Sequence, residues 1–305
     1  MTWTETGTDI SEDQQPTNYC RDQPHRLHLT YTAVRMDTHM QGLCTLWILS
    51  LFCGGMCDPT LDYFLSLNQI QRRDAAEVKW SHAVNSRSGL AEALAGPTHM
   101  LEADVIMRGH DPKEPIMAHP PDTDSDITLK EWLEGVKTRD KGIKLDFKSL
   151  EAVSPSMALL EAVLAEQRRP VWINADILSG PGGGQARPLE PQAFLSAVGT
   201  LPSHTVLSLG WTTGWTAGTD NPGYSWEMVH VMEEICRTLK RPVTFPVRAA
   251  LLAQSFSQLR WLLQQSDRYT LTVWTGRDDV FTPQDLLPYR KEFDISRIYY
   301  DLPDF

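Results

Sequence analysis

Two segments, His99-Met100-Leu101-Glu102-Ala103-Asp104-Val105-Ile106-Met107 and Gly142-Ile143-Lys144-Leu145-Asp146-Phe147-Lys148, share one pattern: apolar residues alternate with charged ones. A period of two is the signature of a β-strand. Leu101, Ala103 and Val105 form one face of the first strand, and Glu102 and Asp104 the other. In the second, Lys144, Asp146 and Lys148 share a face. The charged faces would be wet if these strands lay at a sheet edge. They would point inward if the apolar faces packed on helices.

Outward from these strands, the chain alternates with a regular beat. Strands are expected at 78–84, 99–107, 142–148, 170–177, 205–211, 243–249, 269–275 and 295–300. Helices are expected at 88–94, 128–139, 156–167, 191–199, 225–239, 255–265 and 282–292. Thr128 caps the second of these, with Glu131 three residues on. Eight strands and seven helices over about 230 residues predict an α/β fold, a single-domain (β/α)8 TIM barrel at 77–305. A doubly wound open sheet is the other fold with this alternation, but no glycine-rich dinucleotide fingerprint follows the first strand. The run Pro181-Gly182-Gly183-Gly184 after the fourth strand is open to two readings, a phosphate cradle or a flexible loop.

Upstream, the pattern stops. Residues 1–41 are polar without a countable period and read as a disordered, non-barrel extension. The apolar segment at 42–57, from Leu43 to Cys57, is shorter than the ~20 residues of a membrane span. Its length suits the core of a signal peptide, with Met36 or Met40 as initiator, or a peripheral helix. Residues 58–76 read as a linker. Five cysteines in 305 residues make no disulfide scaffold, and three of them (Cys44, Cys53, Cys57) sit in the apolar segment. Cys236 is expected as a buried thiol on a helix. The net charge of −11 argues against nucleic-acid binding, which needs a cationic face.

A barrel of this kind carries its site at the C-terminal ends of the strands. The polar residues there are His82, Glu102, Asp104, His119, Lys144, Asp146, Lys148, Asn174, Asp176 and Arg248, with Trp211 and Trp274. Unpaired carboxylates inside a barrel are costly. Glu102, Asp104 and Asp146 would therefore need either a cation between them or neutralisation by the two lysines. Oxygen-only ligation suits Mg²⁺ or Ca²⁺. Trp211 and Trp274 are open to head-group stacking or to barrel packing.

The order His82, Glu102-Ala103-Asp104, His119, Asp146-Phe147-Lys148 resembles the phospholipase-C-like phosphodiesterase barrels, which include glycerophosphodiester phosphodiesterases and sphingomyelinase D. The chain is more closely similar to the menorin family, through Trp80-Ser81-His82-Ala83-Val84-Asn85-Ser86, Leu101-Glu102-Ala103-Asp104-Val105, Ala118-His119-Pro120-Pro121, Lys144-Leu145-Asp146-Phe147-Lys148, Trp172-Ile173-Asn174-Ala175-Asp176-Ile177 and Val273-Trp274-Thr275-Gly276. The resemblance implies a divalent cation on Glu102, Asp104 and Asp146. It implies catalysis by His82 and His119, as acid and base or as nucleophile, and a phosphate contact from Lys148. Candidate substrate contacts are Lys144, Asn85, Asn174, Arg248, Trp211 and Trp274. Two departures stand out: Ala83-Val84-Asn85 follows the first histidine where glycerophosphodiesterases carry Arg-Gly, and the third ligand is Asp146 rather than Glu.

The expected activity is that of a phosphoric diester hydrolase, or a phospholipase D-like transferase, on a glycerophosphodiester or phospholipid head group. The resemblance to the menorin family implies an alternative: a catalytically silent, secreted or membrane-proximal interaction protein with extracellular partners in signalling or neuronal patterning. A carbon–carbon lyase with a Schiff base at Lys144 or Lys148 also fits such a barrel. No nucleic-acid partner and no transmembrane span are expected. The chain enters the secretory pathway if the apolar segment acts as a signal, and is cytoplasmic otherwise.

Overall fold

The computed structural model describes residues 58–166, 168–183, 186–276, 279 and 283–302. The expected polar extension, the apolar segment with its three cysteines, and Gly184 of the glycine run lie outside the described residues.

In chain order the elements are helix α1 (Pro59–Ser66), a 3-10 turn (Ala75–Glu77), β1 (Trp80–Ser81), α2 (Arg87–Ala95), β2 (Met100–Met107), β3 (Pro115–Met117), α3 (Leu129–Val136), β4 (Gly142–Phe147), α4 (Leu150–Glu166), β5 (Val171–Ser179), α5 (Pro191–Ala197), β6 (Val206–Thr212), α6 (Trp226–Cys236), β7 (Val243–Arg248), α7 (Leu252–Gln264), β8 (Tyr269–Trp274), α8 (Pro283–Glu292) and β9 (Ile298–Asp301). The strand order is β1-β2-β4-β5-β6-β7-β8-β9, every neighbour parallel. This is a near-closed barrel of eight parallel strands, and the (β/α)8 expectation holds. Among the described residues β1 and β9 share no backbone ladder, and side chains join them instead. The Trp80 and Tyr299 ring centroids lie 6.5 Å apart, and His82 Nδ1 lies 3.0 Å from Asp301 Oδ1.

Alternation sorts each strand. Leu101, Ala103, Val105, Leu145 and Phe147 point outward into the large core shared with the helices, which turns their charged neighbours toward the barrel axis. Helix α3 begins at the expected capping box, with Thr128 Oγ1 accepting from Glu131 N–H and Glu131 Oε2 accepting from Thr128 N–H. Cys236 is a buried free thiol on α6, as expected.

Three local features depart from the expectations. The first strand shrinks to Trp80–Ser81 because the 3-10 turn ends just before it and Ala83 takes a left-handed φ of 53° just after it. The last strand starts at Ile298, after a 3-10 turn at Ile295–Arg297, and reaches Asp301. Strand β3 is an unexpected antiparallel hairpin partner of β2.

The stretch read as a linker carries structure. Asp58 caps α1 by accepting from Thr60 and Leu61 N–H. Leu61 and Phe64 then pack with Trp80, Met100, Trp172, Val206 and Tyr299. These strand residues lie at the N-terminal ends of their strands, so α1 floors the barrel. Polar contacts fix its seat: Trp172 Nε1–H donates to Thr60 Oγ1 at 2.9 Å, and Tyr299 O–H to Asp58 Oδ2 at 2.6 Å. The amphipathic signal of a single eight-residue helix is short, which is why it reads as a linker. Among the described residues no helix is long and apolar enough to cross a membrane.

Phe64→Ala empties the centre of this floor. It is expected to cost about 3–5 kcal/mol of unfolding free energy, measured by urea denaturation, with the far-ultraviolet circular dichroism of the folded state retained.

Candidate functional site

Strand β2 delivers Glu102 and Asp104 inward, and its register with β4 sets Asp104 directly beside Asp146. One carboxylate oxygen from each of Glu102, Asp104 and Asp146 lies within 4.8 Å of the others, and all three residues are buried. The three carboxylates read as inward from alternation are thus brought together, close enough that they could hold a metal ion.

Each carboxylate is held differently. Glu102 Oε2 accepts from Ala83 N–H at 2.8 Å. The left-handed φ at Ala83 aims that N–H inward, and a non-glycine residue there carries backbone strain at the heart of the site. Asp104 is clasped by Asn85, which donates from Nδ2 to Oδ2 and accepts from Asp104 N–H, both at 2.8 Å. Lys148 Nζ lies 2.5 Å from Asp146 Oδ2 and 3.3 Å from Asp104 Oδ1. Asn174, its register neighbour on β5, also favours the charged Asp146 carboxylate, although Oδ1 is buried with no close hydrogen bond. Three buried carboxylates brought this close are costly, and a cation among them would offset that cost. The donor set, all oxygen, fits a hard divalent ion.

A second network crosses the barrel seam. Asp301, fully buried on β9, accepts from Lys144 Nζ at 3.0 Å with one oxygen and faces His82 Nδ1 with the other. His82 Nδ1 is also 3.4 Å from Glu102 Oε2, yet 45 % of its side chain is exposed, so the ring opens to the mouth. Burial works against the charged imidazole, but Glu102 and Asp301 outweigh it and raise the His82 pKa to about 9. Burial, then Asp104, pushes Glu102 up. Burial likewise pushes Asp176 up, with Asp146 adding to it. Burial opposes ionisation of Asp301, but Lys144 and His82 hold its pKa far below the usual carboxylate range.

Asp301 escapes the sequence reading, which ends the strand one residue early. The signal was present: Tyr299 and Asp301 are two apart and share the inward parity.

His119 follows Ala118, whose N–H bonds the Asp104 carbonyl at 3.1 Å, so the loop carrying it leaves from the mouth end of β2. The ring is exposed, and its Nδ1 lies 2.6 Å from the Pro120 carbonyl oxygen. A carbonyl only accepts, so Nδ1 carries the proton and Nε2 of the neutral ring is a bare lone pair.

Several expected substrate contacts have other work. Asn85 holds Asp104. Asn174 is buried and accepts from Ser208 Oγ. Lys144 is consumed by Asp301. Arg248 is paired with the buried Asp279, Nε to Oδ2 at 2.9 Å, and lies 5.1 and 5.3 Å from the Trp215 and Trp274 ring centroids. It staples the loops after β6 and β8 rather than offering a free charge. Trp274 is half-buried against it. Trp211 shares the outward parity of Leu207 and Leu209 and packs between sheet and helices, near Tyr224 and Phe245. Burial opposes the charge on Lys144 and on Lys148, but the carboxylates around each hold it protonated. The glycine run is tied down at its start: Gly214 N–H donates to the Pro181 carbonyl, and a Cβ on Gly182 would meet the Gly214 oxygen.

These features define a class: a (β/α)8 barrel that gathers a metal-competent acidic triad, a histidine and a lysine. The chain belongs to the menorin family. The Menorin N-terminal domain matches residues 74–305. The human protein FAM151B is 51% identical over 251 residues, which cover 82% of this chain and 91% of that protein.

In the metal-free protein, the raised His82 pKa adds stability that is complete below about 6.5, the unfolded value, and is lost as pH rises through about 9. Asp301→Asn should move the His82 titration, followed by NMR, back toward 6.5 and flatten this dependence. It also strands Lys144, for an expected loss of about 3–5 kcal/mol in chemical denaturation.

Proposed function

We propose that this chain is a divalent-metal-dependent phosphodiesterase that cleaves or transfers the head group of a glycerophosphodiester or phospholipid. The observation that carries the reading is the convergence, within 4.8 Å, of one oxygen from each of the buried carboxylates Glu102, Asp104 and Asp146. Glu102, Asp104 and Asp146 would hold a divalent ion such as Mg²⁺ or Ca²⁺, which would supply Lewis acidity toward the phosphoryl group. Lys148, poised between Asp104 and Asp146, stabilises the charge that builds on the phosphoryl oxygens. His119, with its proton fixed on Nδ1, takes the proton of the attacking water or alcohol at Nε2. His82, oriented through Nδ1 by Asp301, donates from Nε2 to the departing alkoxide. One P–O bond forms to the attacking oxygen and one breaks to the leaving alcohol.

Lys148 also favours a second reading. Its ammonium already neutralises part of the triad, as it would in a silent barrel that serves as an extracellular interaction partner. Under either reading, the apolar residues 43–57 are a route into the secretory pathway, the alternative being a cytoplasmic protein.

The test is turnover of bis(p-nitrophenyl) phosphate in Mg²⁺, Mn²⁺ or Ca²⁺. Metal-stimulated turnover is expected, with His82→Ala and His119→Ala each lowering kcat by about 10²–10⁴-fold in proteins that remain folded. Asp146→Asn should remove both turnover and the rise in Tm on adding metal. No turnover with any of the three metals would leave the silent barrel.

A further inference from the structure

Strand β5 carries one more inward carboxylate beyond Asn174. Asp176 lies in register with Gly210 of β6. A Cβ on Gly210 would sit 2.4 Å from Asp176 Oδ1 and 2.8 Å from Pro246 Cγ. The Asp176 carboxylate therefore leans into space that any side chain at 210 would fill. Glycine inside a strand often marks such a close approach.

Asp176 differs from every other carboxylate of the interior. Glu102 accepts from Ala83, Asp104 from Asn85, Asp146 from Lys148, and Asp301 from Lys144. The Asp176 carboxylate accepts no hydrogen bond from any described residue, and only burial and the charges of Asp146, Lys148 and Lys144 act on it. It is also not one of the three residues whose ligand oxygens converge. The residue is only partly buried, unlike the triad, and it lies nearer than Asn174 to the C-terminal end of β5. An acceptor in this position lacks a donor, and the open side of the mouth is where one would come from.

Lys148 links Asp176 to the proposed chemistry, since its ammonium feels Asp146, Asp104 and Asp176 together. A phosphoryl group drawn to Lys148 brings its ester substituent toward Asp176. We propose that Asp176, in the space left by Gly210, is a substrate-binding carboxylate that takes a hydrogen-bond donor, hydroxyl or ammonium, on the alcohol part of the phosphodiester. This deepens the phosphodiesterase reading and rests on it. It names the substrate class as esters of donor-bearing alcohols and makes Gly210 a specificity determinant. Asp176 binds and orients, while the proton transfers stay with the histidines.

The experiment is isothermal titration calorimetry of the full chain in Mg²⁺ with methyl phosphate, glycerol 3-phosphate and phosphoethanolamine. The wild-type protein should bind at least one donor-bearing ester about 10-fold or more tightly than methyl phosphate, the scale of a hydrogen bond to a charged group. Asp176→Asn should erase that preference while leaving methyl phosphate affinity and the Mg²⁺-induced Tm shift unchanged. Gly210→Ala should erode it in the same direction, by displacing the carboxylate. Preference for glycerol 3-phosphate identifies the donor as hydroxyl, and preference for phosphoethanolamine as ammonium. Three results overturn the proposal: an equal loss of all three ligands in Asp176→Asn, loss of the Mg²⁺ shift in that variant, or no binding of any of the three to the wild type. Turnover of bis(p-nitrophenyl) phosphate, which has no donor, is followed in parallel. A protein silent on it that keeps the donor preference loses only the catalytic reading.

Discussion

Asp301 bridges the barrel seam, and the geometry of the mouth depends on that bridge. Its two oxygens engage Lys144 from β4 and His82 from the end of β1. No backbone ladder joins β1 to β9 among the described residues, so this buried charge network and the Trp80–Tyr299 contact below it draw the first and last strands together. Removing one partner would bury an uncompensated charge, which is why such networks are felt as specificity even where their net stability is small. The same contact fixes the direction of the His82 ring, so closure of the fold and orientation of that ring are one event.

The interior is acidic by more than it can neutralise. Glu102, Asp104, Asp146, Asp176 and Asp301 outnumber Lys144, Lys148 and a protonated His82 by two charges. The consequences are visible in the titrations: burial and like charges raise Glu102 and Asp176, while carboxylates raise His82 against its burial. A divalent cation is the simplest complement to such a surplus. Lys148 neutralises part of the triad, lying close to Asp146 Oδ2 and Asp104 Oδ1.

Legibility in the sequence followed the local period. Glu102, Asp104, Lys144 and Asp146 were readable because a step of two along a strand sets a face whatever the fold around it. The same rule would have excluded Trp211, which shares parity with Leu207 and Leu209, and would have found Asp301 with a strand one residue longer. Asn85, Asn174 and Arg248 were placed near the mouth, but their partners are set across strands and loops, by Asp104, Ser208 and Asp279. The floor helix was missed because one short helix has little period to count, and its apolar face finds meaning only against Trp172 and Tyr299.

By itself the sequence determined the alternation of strands and helices, the family resemblance, and which side chains turn inward, because each is a property of neighbours along the chain. Only the tertiary structure decided which inward groups meet. Asp301 lies 219 positions from His82, and no local pattern relates them. Their contact exists because a twisted parallel sheet curls until its ends meet. Closure also decided which acidic residues are held by the protein, like Asp146 by Lys148, and which, like Asp176, accept no hydrogen bond from a described residue.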